Sequence, residues 1–310
     1  MIQLMDKKII IAHLCLVCSG TFWGLMAPVG KDAMLHGIDG IDLVSFRVLG
    51  GAILFWLASL FAKKEHVPTK DILRLAGAGV FALVFNQCSY TIGLNFTSPA
   101  NSSIMTTSMP IFAMILSFFI LKEPITWKKA LGVLLGCSGA VIIILTSASS
   151  SNAKVGNIWG DLLCMSAQLS FALYLALFKP LVQKYSLFTV NKWMFTWAAL
   201  MIWPFTFSHV SAIPFSNVPT AAWMETGYVV FFGTFLSYIC MMVGQKSLRP
   251  TVVSVYNYVQ PLVSVSVSVI TGLAIFKGTQ VFASLLVFTG VWLVIVSKSR
   301  KDVKAEKRRK

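Results

Sequence analysis

Charge is what this chain of 310 residues has least of. Charged residues make up 12% of it, against about 25% in an ordinary soluble domain. Acids are the scarcer kind, with 11 Asp and Glu against 26 Lys and Arg. No stretch between the apolar runs is long enough to fold as a separate soluble domain, so a sensor with an output module does not fit. The four histidines, His13, His36, His66 and His209, are scattered. There is no H-E-x-x-H and no pair of carboxylates within an apolar run, so a membrane-embedded enzyme would lack its base, nucleophile or metal cluster, and no cofactor or metal is expected. Six cysteines all fall in apolar runs. Cys15 and Cys18 form a C-x-x-C with no second metal-ligand pair, and all six read as small packed hydrophobes. The opening MIQLMDKK precedes an apolar run from Ile9 with no small-residue cleavage site after it, so a retained first span is expected.

What the chain does have is apolar length. Hydrophobic residues make up 56% and the mean hydropathy is +0.77. Runs of the roughly 20 residues needed to cross a bilayer as a helix recur throughout. They place ten spans at about 9–29, 41–62, 72–95, 100–121, 129–146, 157–178, 188–208, 221–245, 251–273 and 279–297. Short connections suit antiparallel neighbours. With the N-terminus inside, 21 Lys and Arg fall on inner segments and three on outer loops (Lys31, Lys154 and Lys277), leaving Arg47 and Lys192 within spans. That bias puts both termini in the cytoplasm and the chain in the cell (inner or plasma) membrane as a multi-pass protein. The net charge of +15 includes eight basic residues in the last thirteen. This reads as topology and contact with anionic membrane lipid rather than nucleic-acid binding.

Two prolines bracket a polar stretch, TSPANSSIMTTSMP at 97–110, and prolines bracket an echo, LRPTVVSVYNYVQP at 248–261. At an offset of 151 residues Gly93 meets Gly244, Pro99 meets Pro250, Pro110 meets Pro261 and Gly139 meets Gly290. The first parts of the halves match less well: Phe22-Trp23-Gly24 falls near Phe171-Ala172-Leu173, and Lys31 near Lys179. The expected organisation is a five-span repeat over 1–150, a second over 151–297 and a basic tail over 298–310. Because five is odd, the second repeat enters from the opposite face. Inverted repeats characterise secondary transporters, which hold solute near the midplane between the halves.

Together with a W-G pair in span one, Arg47 in span two and the run from Pro110 through Leu121-Lys122-Glu123-Pro124 to Gly132 and Gly139, this pattern resembles the EamA type of the drug/metabolite transporter superfamily. The resemblance covers essentially the whole chain. It implies an all-α fold of ten transmembrane helices and the export of small metabolites, amino acids or related compounds. One departure is that the second repeat has Leu273-Ala274-Ile275-Phe276 where the first has its Glu. A flippase for lipids or lipid-linked sugars is the nearer alternative and an enzyme the distant one.

Polar side chains at membrane depth avoid lipid and mark solute pathways. Candidates are Asn101, Met105 and Thr106 in span four, and Tyr256, Asn257 and Gln260 in span nine. Pro110 and Pro261 are expected to break these helices and free the carbonyls of Thr106 and Asn257. Gln87 and Tyr90 share a face of span three. Trp23, Gln168, Tyr174, Trp193, Trp197 and Tyr238 supply aromatic and amide walls. Arg47 lies about 9 Å inside the outer end of span two at about 1.5 Å per residue. It either snorkels to headgroups, binds a solute carboxylate or fixes a carbonyl at a helix break. Asp161 and Glu225 lie near span ends, where capping or interfacial pairing is expected. With no carboxylate deeper, facilitated or exchange transport of a small-molecule solute is expected. Gly132, Gly136 and Gly139 form a small-residue stripe suited to packing within the chain or to a homodimer.

Overall fold

The computed structural model describes residues 7–97, 102, 105–148, 158–270 and 278–298. They are helical almost throughout. Helix α1 is Lys7–Leu35, α2 Gly40–Leu60, α3 Thr69–Phe96, α4 Met109–Leu121 and α5 Trp127–Ala148. Helix α6 is Ile158–Leu177, α7 Leu187–Ser211 and α8 Thr220–Ser247. Pro250–Val255, a 3-10 turn Tyr256–Tyr258 and Val259–Ile270 run on as α9, and α10 is Gly278–Ile295. Among the described residues, α1, α2, α3, α6 and α8 are long and apolar enough to cross a membrane, and α4 is a shorter apolar helix. Helix α7 has the length, but Lys192 and three tryptophans dilute its apolar character. The chain is an all-α, multi-span membrane protein.

Local signals explain the helix starts. The Asp39 carboxylate accepts the amides of Ile41 and Asp42 at 2.8 and 2.9 Å, and the Asp42 carboxylate accepts the Asp39 amide at 3.3 Å. This reciprocal cap opens α2. Ser186 opens α7 by accepting the Thr189 amide at 3.2 Å. Helices α3 and α8 both follow a proline, Pro68 and Pro219, and each contains one π-helical stretch, Val80–Phe85 and Phe231–Leu236. All these boundaries repeat at the offset of 151. The breaks before Pro110 and Pro261 repeat as well. Thr107 and Ser108 form a turn before α4, and Tyr256–Tyr258 tightens to 3-10. Each proline therefore stands in the first turn of the helix after a break, where its missing N–H costs least.

Packing between the two groups of five helices is reciprocal. Helix α1 packs on α8 as α3 packs on α6, α1 on α9 as α4 on α6, α2 on α7 and α5 on α10. The lysines fit this pattern: Lys31 Nζ donates to the Leu94 carbonyl at 2.9 Å near the end of α3, and Lys179 Nζ to that of Leu248 at 3.2 Å at the end of α8. Internal symmetry produces such pairing.

The α5–α10 seam is the closest approach. A Cβ on Gly132 would stand 2.7 Å from the Gly290 carbonyl oxygen, and one on Gly139 2.6 Å from that of Ala283. Gly132 and Ala283 are 151 residues apart, as are Gly139 and Gly290, so equivalent helices meet through exchanged positions. The pairing of 132 with 290 and 139 with 283 makes them antiparallel. The remaining stripe glycine, Gly136, lies under the Tyr258 ring, whose hydroxyl donates to the Val133 carbonyl at 3.1 Å. Of the two roles open to this stripe, packing within the chain is the one it fills.

At the α4–α5 turn, Lys122 adopts φ 54° and Glu123 meets Lys129 at 3.1 Å, with both side chains buried. Losing one member of a buried pair strands the other charge, at a cost of about 3–5 kcal/mol. Glu123→Leu alone is expected to lower the melting temperature of the detergent-solubilised protein markedly. The double variant Glu123→Leu/Lys129→Met should recover most of the loss. Equal melting of single and double variants would show that the pair does not hold the turn.

Candidate functional site

The two groups of helices enclose a central chamber of about 500 Å3, counting its open mouth. Trp23 and Met26 of α1, Arg47 of α2, and Asn86, Gln87 and Tyr90 of α3 line one side. Thr106, Met109, Gln168, Phe171, Tyr238, Asn257 and Gln260 line the rest. Three wall pairs are related by the 151 offset: Gln87 with Tyr238, Thr106 with Asn257, and Met109 with Gln260. The first pair touches directly, Gln87 Nε2 donating to the Tyr238 hydroxyl at 3.2 Å. The chamber therefore sits where equivalent positions of the two groups face each other.

The π-helical stretches shape this site. A π turn frees carbonyls from the regular ladder, and such bulges recur at functional sites. The Ala82 carbonyl accepts the Tyr238 hydroxyl at 3.0 Å, and that of Phe81 accepts Ser170 at 2.7 Å. On the other side the Gly233 carbonyl accepts Trp23 Nε1 at 3.0 Å, and Thr234 donates to the Val229 carbonyl at 2.9 Å. Tyr238 and Trp23 are thus each held by a π stretch of the opposite group. The rings of Trp23, Phe171 and Tyr238 meet edge to face, with centroids 6.1–6.4 Å apart.

Arg47 is buried, only 4% exposed. Its Nε donates to Thr234 Oγ1 at 3.1 Å and its Nη1 to Thr91 Oγ1 at 3.4 Å. Among the described residues, no carboxylate lies within ion-pair distance of it. A buried guanidinium held only by hydroxyls is electrically uncompensated, and the chamber it lines contains no acid. Beside it, Gln87 Oε1 is buried without a hydrogen-bond partner. Among the described residues the chamber thus offers a cation, a buried acceptor without a partner and aromatic faces.

Of the sequence candidates, Trp23, Arg47, Gln87, Tyr90, Thr106, Gln168, Tyr238, Asn257 and Gln260 meet in this chamber. Met105 stands beside its wall without lining it. Tyr256 lines a smaller adjoining cavity, and its hydroxyl bonds His13 Nδ1 at 2.6 Å. Tyr174 is buried away from the chamber, donating to Gln245 Oε1 at 2.9 Å. Trp193 packs against Trp56, over which Lys192 also sits, and Trp197 keeps its Nε1 buried elsewhere in α7. Asn101 lies outside the described residues. Met26, Asn86, Met109 and Phe171 complete the lining. Asn86 is another polar residue of span three, whereas the other three carry no polar signal that a sequence reading would detect.

Charged groups gather at the helix ends. Asp71 at the start of α3 accepts the Tyr185 hydroxyl at 2.6 Å and pairs with Lys184 at 2.5 Å and Arg74 at 3.3 Å. Burial would raise the Glu65 carboxyl, but bonds from the Ser186 amide and the Thr189 and Ser186 hydroxyls hold it below its ordinary value. Elsewhere, Asp161 accepts the Thr97 hydroxyl at 2.6 Å. Asp32, His36 and Glu225 bring two carboxylate oxygens and a ring nitrogen within 4.8 Å of one another.

Comparison with known proteins agrees with this architecture. The profile of the EamA-like transporter family matches residues 10–145 and again residues 158–296. An uncharacterized transporter of Bacillus subtilis (strain 168), YetK, is 26% identical over 302 residues, covering 96% of this chain and 90% of its own. A second from the same organism, YyaM, is 26% identical over 79% of this chain and 80% of its own. An uncharacterized transporter of Archaeoglobus fulgidus is 25% identical over 89% of this chain and 95% of its own. A solved crystal structure shares the fold with a TM-score of 0.71 at 16% identity, over 93% of this chain and 97% of that one.

Proposed function

The chain belongs to the EamA-like transporter family, which makes it a non-enzymatic secondary transporter of small solutes, and from that premise we propose that it exports amino acids or related amphipathic solutes. In this reading ten spans form two inverted halves, both termini are cytoplasmic, and the chamber opens alternately to each side. Antiparallel packing of the equivalent helices α5 and α10 supports the inversion. The excess of Lys and Arg on alternate connections supports the orientation.

The observation that carries the substrate class is Arg47, a buried cation facing the chamber whose hydrogen-bond partners, among the described residues, are hydroxyls. A buried charge needs a partner, and a solute carboxylate supplies one. The Gln87 acceptor and the rings of Trp23, Phe171 and Tyr238 suit an ammonium group beside that carboxylate. Among the described residues no carboxylate lines the chamber, which favours facilitated or exchange transport of the solute over proton coupling.

The test is flux in proteoliposomes across a panel of labelled amino acids and nucleosides. Entry of at least one amino acid is expected to accelerate when the lumen is preloaded with the same unlabelled compound, with little response to an imposed pH gradient. A flux driven mainly by the pH gradient would overturn the exchange mechanism. Silence across the panel together with scrambling of a fluorescent lipid would favour a flippase.

A further inference from the structure

A second, smaller cavity, about 250 Å3 counting the open space around it but with room inside for little more than one water molecule, adjoins the chamber and shares Trp23, Met109, Phe171 and Asn257 with it. Its own walls differ in chemistry. Leu16 of α1, Met241 of α8 and Val253 of α9 supply hydrocarbon, with Ser19, Gly20 and Tyr256 completing them. Ser19 turns its hydroxyl onto the Ser237 carbonyl at 3.1 Å, and Tyr256 is bonded to His13. The polar atoms at this end are therefore already engaged. Along α1 the residues facing the two cavities are Leu16, Gly20, Trp23 and Met26, spaced three or four apart and so on one face. The chamber and the annexe share four wall residues, and their linings are polar around Arg47 and Gln87 and apolar around Leu16 and Val253. The rings of Trp23 and Phe171 mark the boundary.

We propose that this annexe is the subsite for the hydrocarbon end of the solute, and that it sets which chain lengths the protein carries. The inference rests on the reading of the chamber as the solute site. With the charged end held at Arg47, a solute of a few ångströms can only point its aliphatic group past Trp23 into the annexe. Charged ends would lose their water there against walls that are mostly hydrocarbon and whose Ser19 and Tyr256 hydroxyls are already bonded, so they are disfavoured. The occupant is a short aliphatic group, because Gly20 already abuts Val259 and Met241 and Val253 close the sides.

The test uses reconstituted protein and a ladder of labelled amino acids from alanine through valine and leucine. Uptake is expressed as ratios within each variant, so that differences in protein yield cancel. Leu16→Ala enlarges the annexe and is expected to shift the leucine-to-alanine uptake ratio upward roughly threefold to tenfold, the scale of one or two methylenes in an apolar pocket. Val253→Leu fills it and should shift the ratio the other way. Opposite shifts support the subsite. Unchanged ratios, or shifts in the same direction, overturn it while leaving the Arg47 reading intact. A wild-type protein that carries none of the ladder would instead remove the reading of the chamber, and this inference with it.

Discussion

Arg47→Gln is expected to abolish amino-acid flux while the protein accumulates and folds as before. Losing one partner of a buried, hydrogen-bonded charge pair costs about 2–5 kcal/mol of binding, a loss of roughly 30-fold or more. Arg47→Lys should also be poor, because an ammonium cannot offer a carboxylate the parallel fork of a guanidinium. A second readout separates binding from packing. Among the described residues, the hydrogen bonds of Arg47 go to the hydroxyls of Thr234 and Thr91 and it has no ion-pair partner. Its desolvation is unrepaid by any countercharge, so removing it should leave the melting temperature unchanged or raise it. Conversely, solute should raise the melting temperature of the wild type and not that of Arg47→Gln. A variant that transports normally would dismiss the carboxylate role. One that loses both flux and stability would assign Arg47 to the scaffold.

Gly290→Ala is expected to be the most damaging substitution to the fold for its size. The added Cβ would stand 2.5 Å from both the Gly132 carbonyl oxygen and the Gly136 amide nitrogen. Those are backbone atoms in a helix and have no rotamer to move to, so α5 and α10 must separate. Overpacking of this kind costs typically about 1–3 kcal/mol, and an unyielding backbone places this case at the upper end. The expected result is a marked drop in melting temperature and loss of a monodisperse peak in detergent. Gly227→Ala is the control, because nothing lies within 4 Å of its would-be Cβ. It should be neutral or gain up to about 1 kcal/mol from helix propensity. If the two variants melt alike, the seam is not a close contact in the membrane.

What the sequence made legible follows from which signals have a period or a cost. Apolar runs located most of the helices to within about three residues, but α1 runs on to Leu35 and α4 begins only at Met109, at the end of the polar stretch; the repeat at 151 was visible through its prolines and glycines. The same repeat extends to the proline caps of α3 and α8 and to their π stretches, which have no residue signature. Arg47 was legible as costly, but its depth alone fitted snorkelling as well as binding. Only its burial and the bonds it donates to Thr234 and Thr91, on other helices, argue against snorkelling. Chamber residues with polar ends, such as Gln87 and Asn257, were legible for the same reason. Phe171 and Met109 were not, because an apolar side chain facing a cavity reads the same as one facing lipid. Tyr174 and Trp197 show the converse: a large amphipathic ring also serves as packing.

The chamber walls repeat between the two groups of helices, but its cation does not. Counted from the caps Asp39 and Ser186, the position matching Arg47 in α7 is Met194, fully buried and apolar. A solute entering from one water phase therefore meets the guanidinium in a different order from one entering from the other. The half-saturation concentrations on the two faces should differ. For a carrier without a driving ion, reversibility ties the remaining constants together: the face that binds more tightly must also turn over more slowly, so that the ratio of maximal rate to half-saturation is equal in both directions. If Arg47 holds the solute as proposed, it sets the solute concentration at which each face saturates but has no influence on where the gradient comes to rest.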